Sequence, residues 1–181
     1  EELPDNVNRA GVEVTTGYRP EPDSGAFSYA STAAVVAVDP DLGSIEILDY
    51  LAVEDCGRMV NPLIVAGQII GGTAQGIGTA LYEESPYSDT GQPLATTFVD
   101  YTMPGTTELG AIRIEHMETP SPFTEFGIKG VGESGAISPP ATIANAINDA
   151  LGTMGVELCE APMTPRRVLA AIQHAQRNGV A

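Results

Sequence analysis

Residues 33–53 read AAVVAVDPDLGSIEILDYLAV. Ala33–Asp39 and Ile45–Val53 are rich in β-branched side chains. Asp39-Pro40-Asp41-Leu42-Gly43 between them has turn chemistry: proline presets φ and glycine supplies a positive φ. Two extended runs joined by such a turn predict an antiparallel hairpin. The chain before it, residues 1–30, is polar and rich in Pro, Gly, Glu and Asp, and reads as an extended arm. Residues 31–178 read as one domain.

After the hairpin, Asn61-Pro62 predicts a helix start, with Asn as N-cap and Pro at the first helical position. The following stretch, Leu63 to Glu84, is unusual because glycines stand at 67, 71, 72, 76 and 78. Each interior glycine costs a helix about 0.5–1 kcal/mol relative to alanine, so its thin surface must serve something. Gln68 and Gln75 lie two turns apart on one face. Two readings stand side by side: tight packing against another element, or a Gln68 amide offered to a ligand.

Residues 85–96 are loop by composition, and Phe98 to Met103 reads as a short strand. Ala111 to Met117 alternates Ile112, Ile114 and His116 with Arg113 and Glu115, a half-buried strand in which His116 is a packed residue. Pro139-Pro140 opens a helix through Ile143, Ile147 and Leu151, closed by Gly152. A last helix starts at Thr164-Pro165, ends near Arg177 and is stopped by Gly179. Arg166 and Arg167 occupy its first turn, the unfavourable end for cations; pairing with a partner and pairing with local acids both stay open. The expected fold class is α+β: a mostly antiparallel sheet with helices packed on one side.

The 181 residues are 43% hydrophobic and 18% charged, a globular composition. Twenty-four acids against eight bases give a net charge of −16, which argues against nucleic acid and anionic membranes as partners. No run reaches the roughly 18 apolar residues of a membrane span. Cys56 and Cys159 stand apart, as free thiols in a reducing cytoplasmic compartment do; a single disulfide is the alternative. His116 and His174 lack ligand spacing, so no metal is expected to be held directly by the protein. The chain opens Glu1-Glu2-Leu3-Pro4 with neither a leader's basic and apolar runs nor an initiator Met. That is expected of a processed chain or a piece of a longer one.

One stretch carries chemistry: Gly127-Ile128-Lys129-Gly130-Val131-Gly132-Glu133-Ser134-Gly135. Four glycines in nine positions allow tight turns and close approach to a ligand. A carboxylate in their midst is costly to desolvate. The string G-x-G-x-x-G is present, but no buried strand precedes it, the prolines at 139 and 140 delay the helix, and Glu133 would repel a pyrophosphate. From the residues alone the choice lies between a structural loop with Glu133 as a capping acid and a catalytic loop with Glu133 as general base.

Three segments together resemble the C-terminal part of the molybdenum-binding large subunit of the xanthine dehydrogenase, aldehyde oxidase and aerobic carbon monoxide dehydrogenase family, so that residues 31–178 would be the C-terminal portion of its molybdopterin-binding domain. They are Val53–Pro62 (VEDCGRMVNP), Gly67–Gly78 (GQIIGGTAQGIG) and Gly127–Glu133 (GIKGVGE). Their order and separation make the likeness specific, and it covers most of residues 25–175. The resemblance implies a molybdopterin cofactor, in the cytosine dinucleotide form of bacterial members, with molybdenum. It implies Glu133 beside the metal as the catalytic base, Gln68 hydrogen-bonded to the pterin, and Val131 and Gly132 lining the cofactor with their backbone. The activity implied is hydroxylation of a small molecule (an aldehyde, an N-heterocycle or carbon monoxide) with water as the oxygen source. Electrons would leave through 2Fe-2S clusters and FAD on partner subunits. Such large subunits are several times longer than this chain. The rest of the large subunit is therefore an expected partner, and the segment is expected to be inactive alone. The alternative is a non-catalytic assembly fragment of the same fold.

Overall fold

The computed structural model describes residues 14–17 and 26–179. Most of the expected N-terminal arm lies outside the described residues. The hairpin forms as the sequence reading has it, and is longer. β1 (Tyr29–Val38) pairs antiparallel with β2 (Ile45–Asp55), from Tyr29 opposite Asp55 to Val38 opposite Ile45, with a bulge between Val35 and Val36. The turn closes because Asp39 Oδ1 accepts the N–H groups of Asp41 and Leu42 at 2.8 and 3.0 Å. Gly43 follows at φ 69°. A Cβ at Gly43 would lie 2.8 Å from the Leu169 backbone nitrogen, so the last helix seats directly on this turn.

β2 leads into α1 (Pro62–Leu81), then α2 (Thr106–Leu109), and the chain returns as β3 (Ile112–Met117). β3 lies beside β2 in parallel, Tyr50 next to Ile112 through Asp55 next to Met117. The sheet order is β1-β2-β3. The fold class is α+β with a mixed sheet. The parallel pairing follows from the intervening helix, which carries the chain back so that β3 runs the same way as β2.

Alternation sets one sheet face against the helices. Ala34, Val36 and Val38 of β1 and Ile112 and Ile114 of β3 are partly buried against a core that includes Ile47, Tyr50 and Ala52 of β2. Over this face α1 contributes Val65, Ile69, Thr73 and Ile77, a stripe at helical spacing. α4 (Pro139–Leu151) contributes Ile143, Ile147 and Leu151, and α5 (Pro165–Arg177) contributes Val168, Ile172 and Ala175. Each fully buried isoleucine is worth about 1.5–3 kcal/mol. α4 also ties to β1 by a 2.6 Å hydrogen bond between the hydroxyls of Thr32 and Thr142.

The helix starts are those the sequence signals. Asn61 Oδ1 accepts from Leu63 and Ile64 at 3.1 and 3.3 Å, and Thr164 Oγ1 accepts from Arg167 at 3.4 Å. The two arginines of the α5 first turn find the same acid: Glu84 lies 2.6 Å from Arg167 and 3.8 Å from Arg166. One expectation is corrected. Phe98–Met103 is not a strand; the Asp100 N–H bonds back to the Thr97 carbonyl at 3.1 Å, and this local turn takes the backbone groups that a ladder would need. Gly152 is the C-cap of α4, as expected; it keeps helical angles and starts a 3-10 turn, Gly152–Met154, which Gly155 closes at φ 65°.

Candidate functional site

The glycine loop is held at its start by the end of β2. Gly57 and Ile128 form an antiparallel bridge, with Lys129 N–H to the Cys56 carbonyl at 2.9 Å and Arg58 N–H to the Gly127 carbonyl at 3.2 Å. Gly57 and Gly127 both take positive φ, 66° and 71°, and a Cβ on Gly57 would strike the Gly127 carbonyl oxygen. Beneath this bridge lies a buried ion pair. Lys129 Nζ stands 3.0 Å from Asp55 Oδ1, with 8% and 1% of the two side chains exposed. Asp55 also accepts from the N–H groups of Gly57 (2.9 Å) and Thr119 (3.1 Å) and from the Tyr29 hydroxyl (2.9 Å). Burial alone would raise the carboxyl's pKa. Hydrogen bonds from Thr119, Gly57 and Lys129 outweigh it and hold Asp55 well below the usual carboxylate range. The Lys129 ammonium also sits 4.6 Å from the Tyr29 ring centre.

The far end of the loop is clamped onto α1. α3 (Ser134–Ile137) packs so closely that a Cβ on Gly135 would lie 2.5 Å from the Ile69 carbonyl oxygen. A Cβ on Gly72 would lie 2.9 Å from the Ala136 nitrogen, and one on Gly76 2.7 Å from the Pro139 ring. Gly72, Gly76 and Gly78 of α1 are thus closely approached. The remaining two are different. Gly67 and Gly71 of α1, and Gly130 and Gly132 of the loop, have nothing within 4 Å of where a Cβ would stand. Between these open glycines the Gln68 Nε2 donates to the Gly132 carbonyl at 2.9 Å.

Glu133 is the N-cap residue of α3, and its side chain makes no capping hydrogen bond. The capping reading is therefore set aside, and the carboxylate is left exposed beside Gly132, where Gln68 also ends. Val131 is half-buried next to a groove of about 280 Å³ lined by Met59, Val60, Ile64 and Val131, among others. The structure thus brings Gln68, Val131, Gly132 and Glu133 to one place, and joins the three segments Val53–Pro62, Gly67–Gly78 and Gly127–Glu133. A short helix does begin inside the G-x-G-x-x-G string, at Ser134, earlier than the prolines suggest; no strand precedes it.

The chain matches the model of a molybdopterin cofactor-binding domain over residues 3–110. It is 46% identical over 145 residues to the nicotine 6-hydroxylase large subunit of Paenarthrobacter nicotinovorans, across 80% of this chain. The chain belongs to the molybdopterin cofactor-binding domain family. Among solved structures, quinoline 2-oxidoreductase from Pseudomonas putida 86 superposes with a TM-score of 0.77 at 49% identity, covering 78% of this chain and 18% of that one. Reconstituted carbon monoxide dehydrogenase from Oligotropha carboxidovorans gives 0.80 at 27% identity, covering 83% of this chain and 19% of that one. The chain spans about 18% of the length of the nicotine 6-hydroxylase large subunit.

Sequence reasoning missed the residues beneath the site. Asp55 and Lys129 form the buried pair, and Glu54 beside them is 1% exposed with neither carboxyl oxygen hydrogen-bonded among the described residues. Burial pushes the Glu54 carboxyl up, with Ser134 and His116 drawing it less strongly the other way. A usable signal existed: an acidic doublet ends an alternating apolar strand, and the glycine loop carries a lone lysine. Cys56 is buried and Cys159 exposed, both free thiols, as expected. No helix among the described residues is long and apolar enough to cross a membrane.

Proposed function

We propose that this segment is the part of a molybdenum hydroxylase large subunit that carries the catalytic base and one wall of the cofactor cradle. The observation that carries the reading is the Gln68–Gly132 hydrogen bond, which places a free carboxylate beside a surface of bare backbone. The residues fit a pterin. Four glycines leave room for a flat ring system to approach the main chain. Gln68 commits one N–H to Gly132 and keeps a second N–H and a carbonyl for a ligand. Val131 and Gly132 would line the cofactor with their backbone, and the cytosine dinucleotide form is the one proposed.

The bound cofactor would supply two-electron oxidation, placing an oxygen from water on an electron-poor carbon. What the chain supplies is orientation and a proton acceptor. Gln68 would hold the pterin edge, and the Glu133 carboxylate would take up the proton released as the water-derived oxygen is transferred. Two relatives bear the names of nicotine and quinoline, and their identity to this chain, 46% and 49%, supports an N-heteroaromatic substrate.

The remainder of the large subunit would close the site. Val60, Leu63 and Ile137 are 81%, 82% and 77% exposed, an apolar rim suited to that contact. Iron–sulfur and flavin subunits would carry the electrons away, in a cytoplasmic complex. The test is Glu133→Gln in the complete enzyme. Turnover should fall about 10²- to 10⁴-fold with molybdenum content retained. Undiminished turnover would remove the base from this position, and absence of molybdenum from the wild-type complex would favour a non-catalytic assembly fragment.

A further inference from the structure

Next to the loop lies a second polar cluster that the proposed reaction does not use. Glu54 points from β2 into a cavity of about 150 Å³ that it shares with Ser28, Ser134 and Ser138. His116 stands abreast of Glu54 on β3, and its Nδ1 is buried without a partner among the described residues, as is the Ser138 hydroxyl. Among the charged groups near Glu54, His116 favours the ionised carboxylate, and burial outweighs it. The Lys129 ammonium is committed to Asp55, and the Asp55 carboxylate next along the strand works against a second negative charge. The Cys56 thiol is itself pushed up and held neutral by burial. An isolated carboxylate in such a place costs several kcal/mol, whereas a neutral carboxylic acid keeps an O–H to donate.

Ser134 is the acceptor that matters. Its hydroxyl donates to the Val131 carbonyl at 3.1 Å, which leaves the oxygen lone pairs free to accept, and the residue lines the cavity. Ser134 follows Glu133 directly and is the first residue of α3. We propose that Glu54 is a positioning residue: as a neutral acid it donates through one bridging water to Ser134, and so fixes the Val131–Ser134 turn that presents Glu133. Gln68 pins the same turn at Gly132 from the outer side. The turn is thereby held between two side chains from two elements, α1 and β2. A cavity of this size lined by three hydroxyls and a carboxyl has room and partners for such a water.

The inference rests on Glu133 being the base, and the test separates the two. In the complete enzyme, Glu54→Gln, Glu54→Ala, Ser134→Ala and the Glu54→Ala/Ser134→Ala double variant are compared, with Glu133→Gln as control. Readouts are turnover from about pH 6 to 9, molybdenum content, and hydrogen exchange of peptides spanning residues 131–137. Glu54→Ala and Ser134→Ala should each lower turnover about 10- to 100-fold and speed exchange in the turn, with molybdenum retained. The double variant should be no worse than the weaker single, because both act through one contact. Glu54→Gln, which keeps the donor without the charge, should stay within about twofold of wild type at every pH.

A glutamine variant as impaired as the alanine variant would overturn the proposal, since Glu54 would then act as an anion, paired with His116. Normal turnover and exchange in both alanine variants would also overturn it. Should Glu54→Ala fail to fold, Ser134→Ala and Glu54→Gln decide the matter alone. Full activity of Glu133→Gln would refute the base assignment, while the exchange data would still report whether Glu54 holds the turn.

Discussion

One helix uses the same residue in two ways. On the inner side of α1, Gly72 and Gly76 are glycine because α3 and the start of α4 press against them; a Cβ would meet backbone or a proline ring within 3 Å. On the outer side, Gly67 and Gly71 have open space in front of them and a glutamine between. The first pair explains how the loop is seated. The second has no partner within the described residues, and its cost in helix propensity makes sense only if something outside them comes close. The comparison separates what folds the segment from what the segment is for.

Breaking the outer side at the proposed base has the largest expected effect. Glu133→Gln should remove nearly all turnover yet leave the thermal midpoint within about 1 °C, because the side chain is exposed and caps nothing. A midpoint lowered by many degrees would make Glu133 structural after all.

Next comes the foundation of the loop. Lys129→Ala leaves Asp55 charged and buried, and should cost about 3–5 kcal/mol in urea unfolding. The pH dependence has a definite sign. Asp55 sits below its unfolded pKa, so the pair stabilises fully above about pH 4 and the benefit is lost as pH falls further. Glu54 runs the other way: its raised pKa favours the folded state in acid, and that contribution is lost as pH rises. Acid unfolding of wild type and Lys129→Ala, followed by circular dichroism, should therefore converge at low pH. Parallel curves would mean the pair contributes nothing.

Smaller effects sharpen the inner–outer contrast. Gly135→Ala forces a methyl against the Ile69 backbone and should destabilise by about 1–3 kcal/mol. Gly71→Ala meets nothing, and should stabilise the helix by about 0.5–1 kcal/mol while lowering pterin content. If Gly71→Ala instead destabilises the protein and leaves pterin content unchanged, the outer glycines are packing residues of another kind.

Local chemistry was legible in the sequence. The Asp39–Gly43 turn, the Asn61 and Thr164 caps and the apolar stripes of α1, α4 and α5 each depend on residues within a few positions of one another. The parallel placement of β3 was not legible, because strand direction depends on how α1 crosses the sheet. Phe98–Met103 looked like a strand by residue type, and the Thr97–Asp100 turn won because no neighbouring strand competes for its backbone groups. Gln68 and Glu133 were singled out by the glycines around them, and the Gln68–Gly132 hydrogen bond brings the two segments together. Asp55 and Lys129 are 74 positions apart; the acidic doublet and the lone loop lysine hint at a pair, but neither neighbourhood specifies the other. Glu54 was hidden for the opposite reason: a carboxyl is read as a surface residue unless its strand partners are known.

The most direct measurement is the structure of the complete enzyme with its cofactor bound. The Glu133 carboxylate should face the molybdenum site without ligating it, with Gln68 and the Val131–Gly132 backbone against the pterin. A Glu133 side chain directed into bulk solvent, with the pterin lying elsewhere, would contradict the assignment.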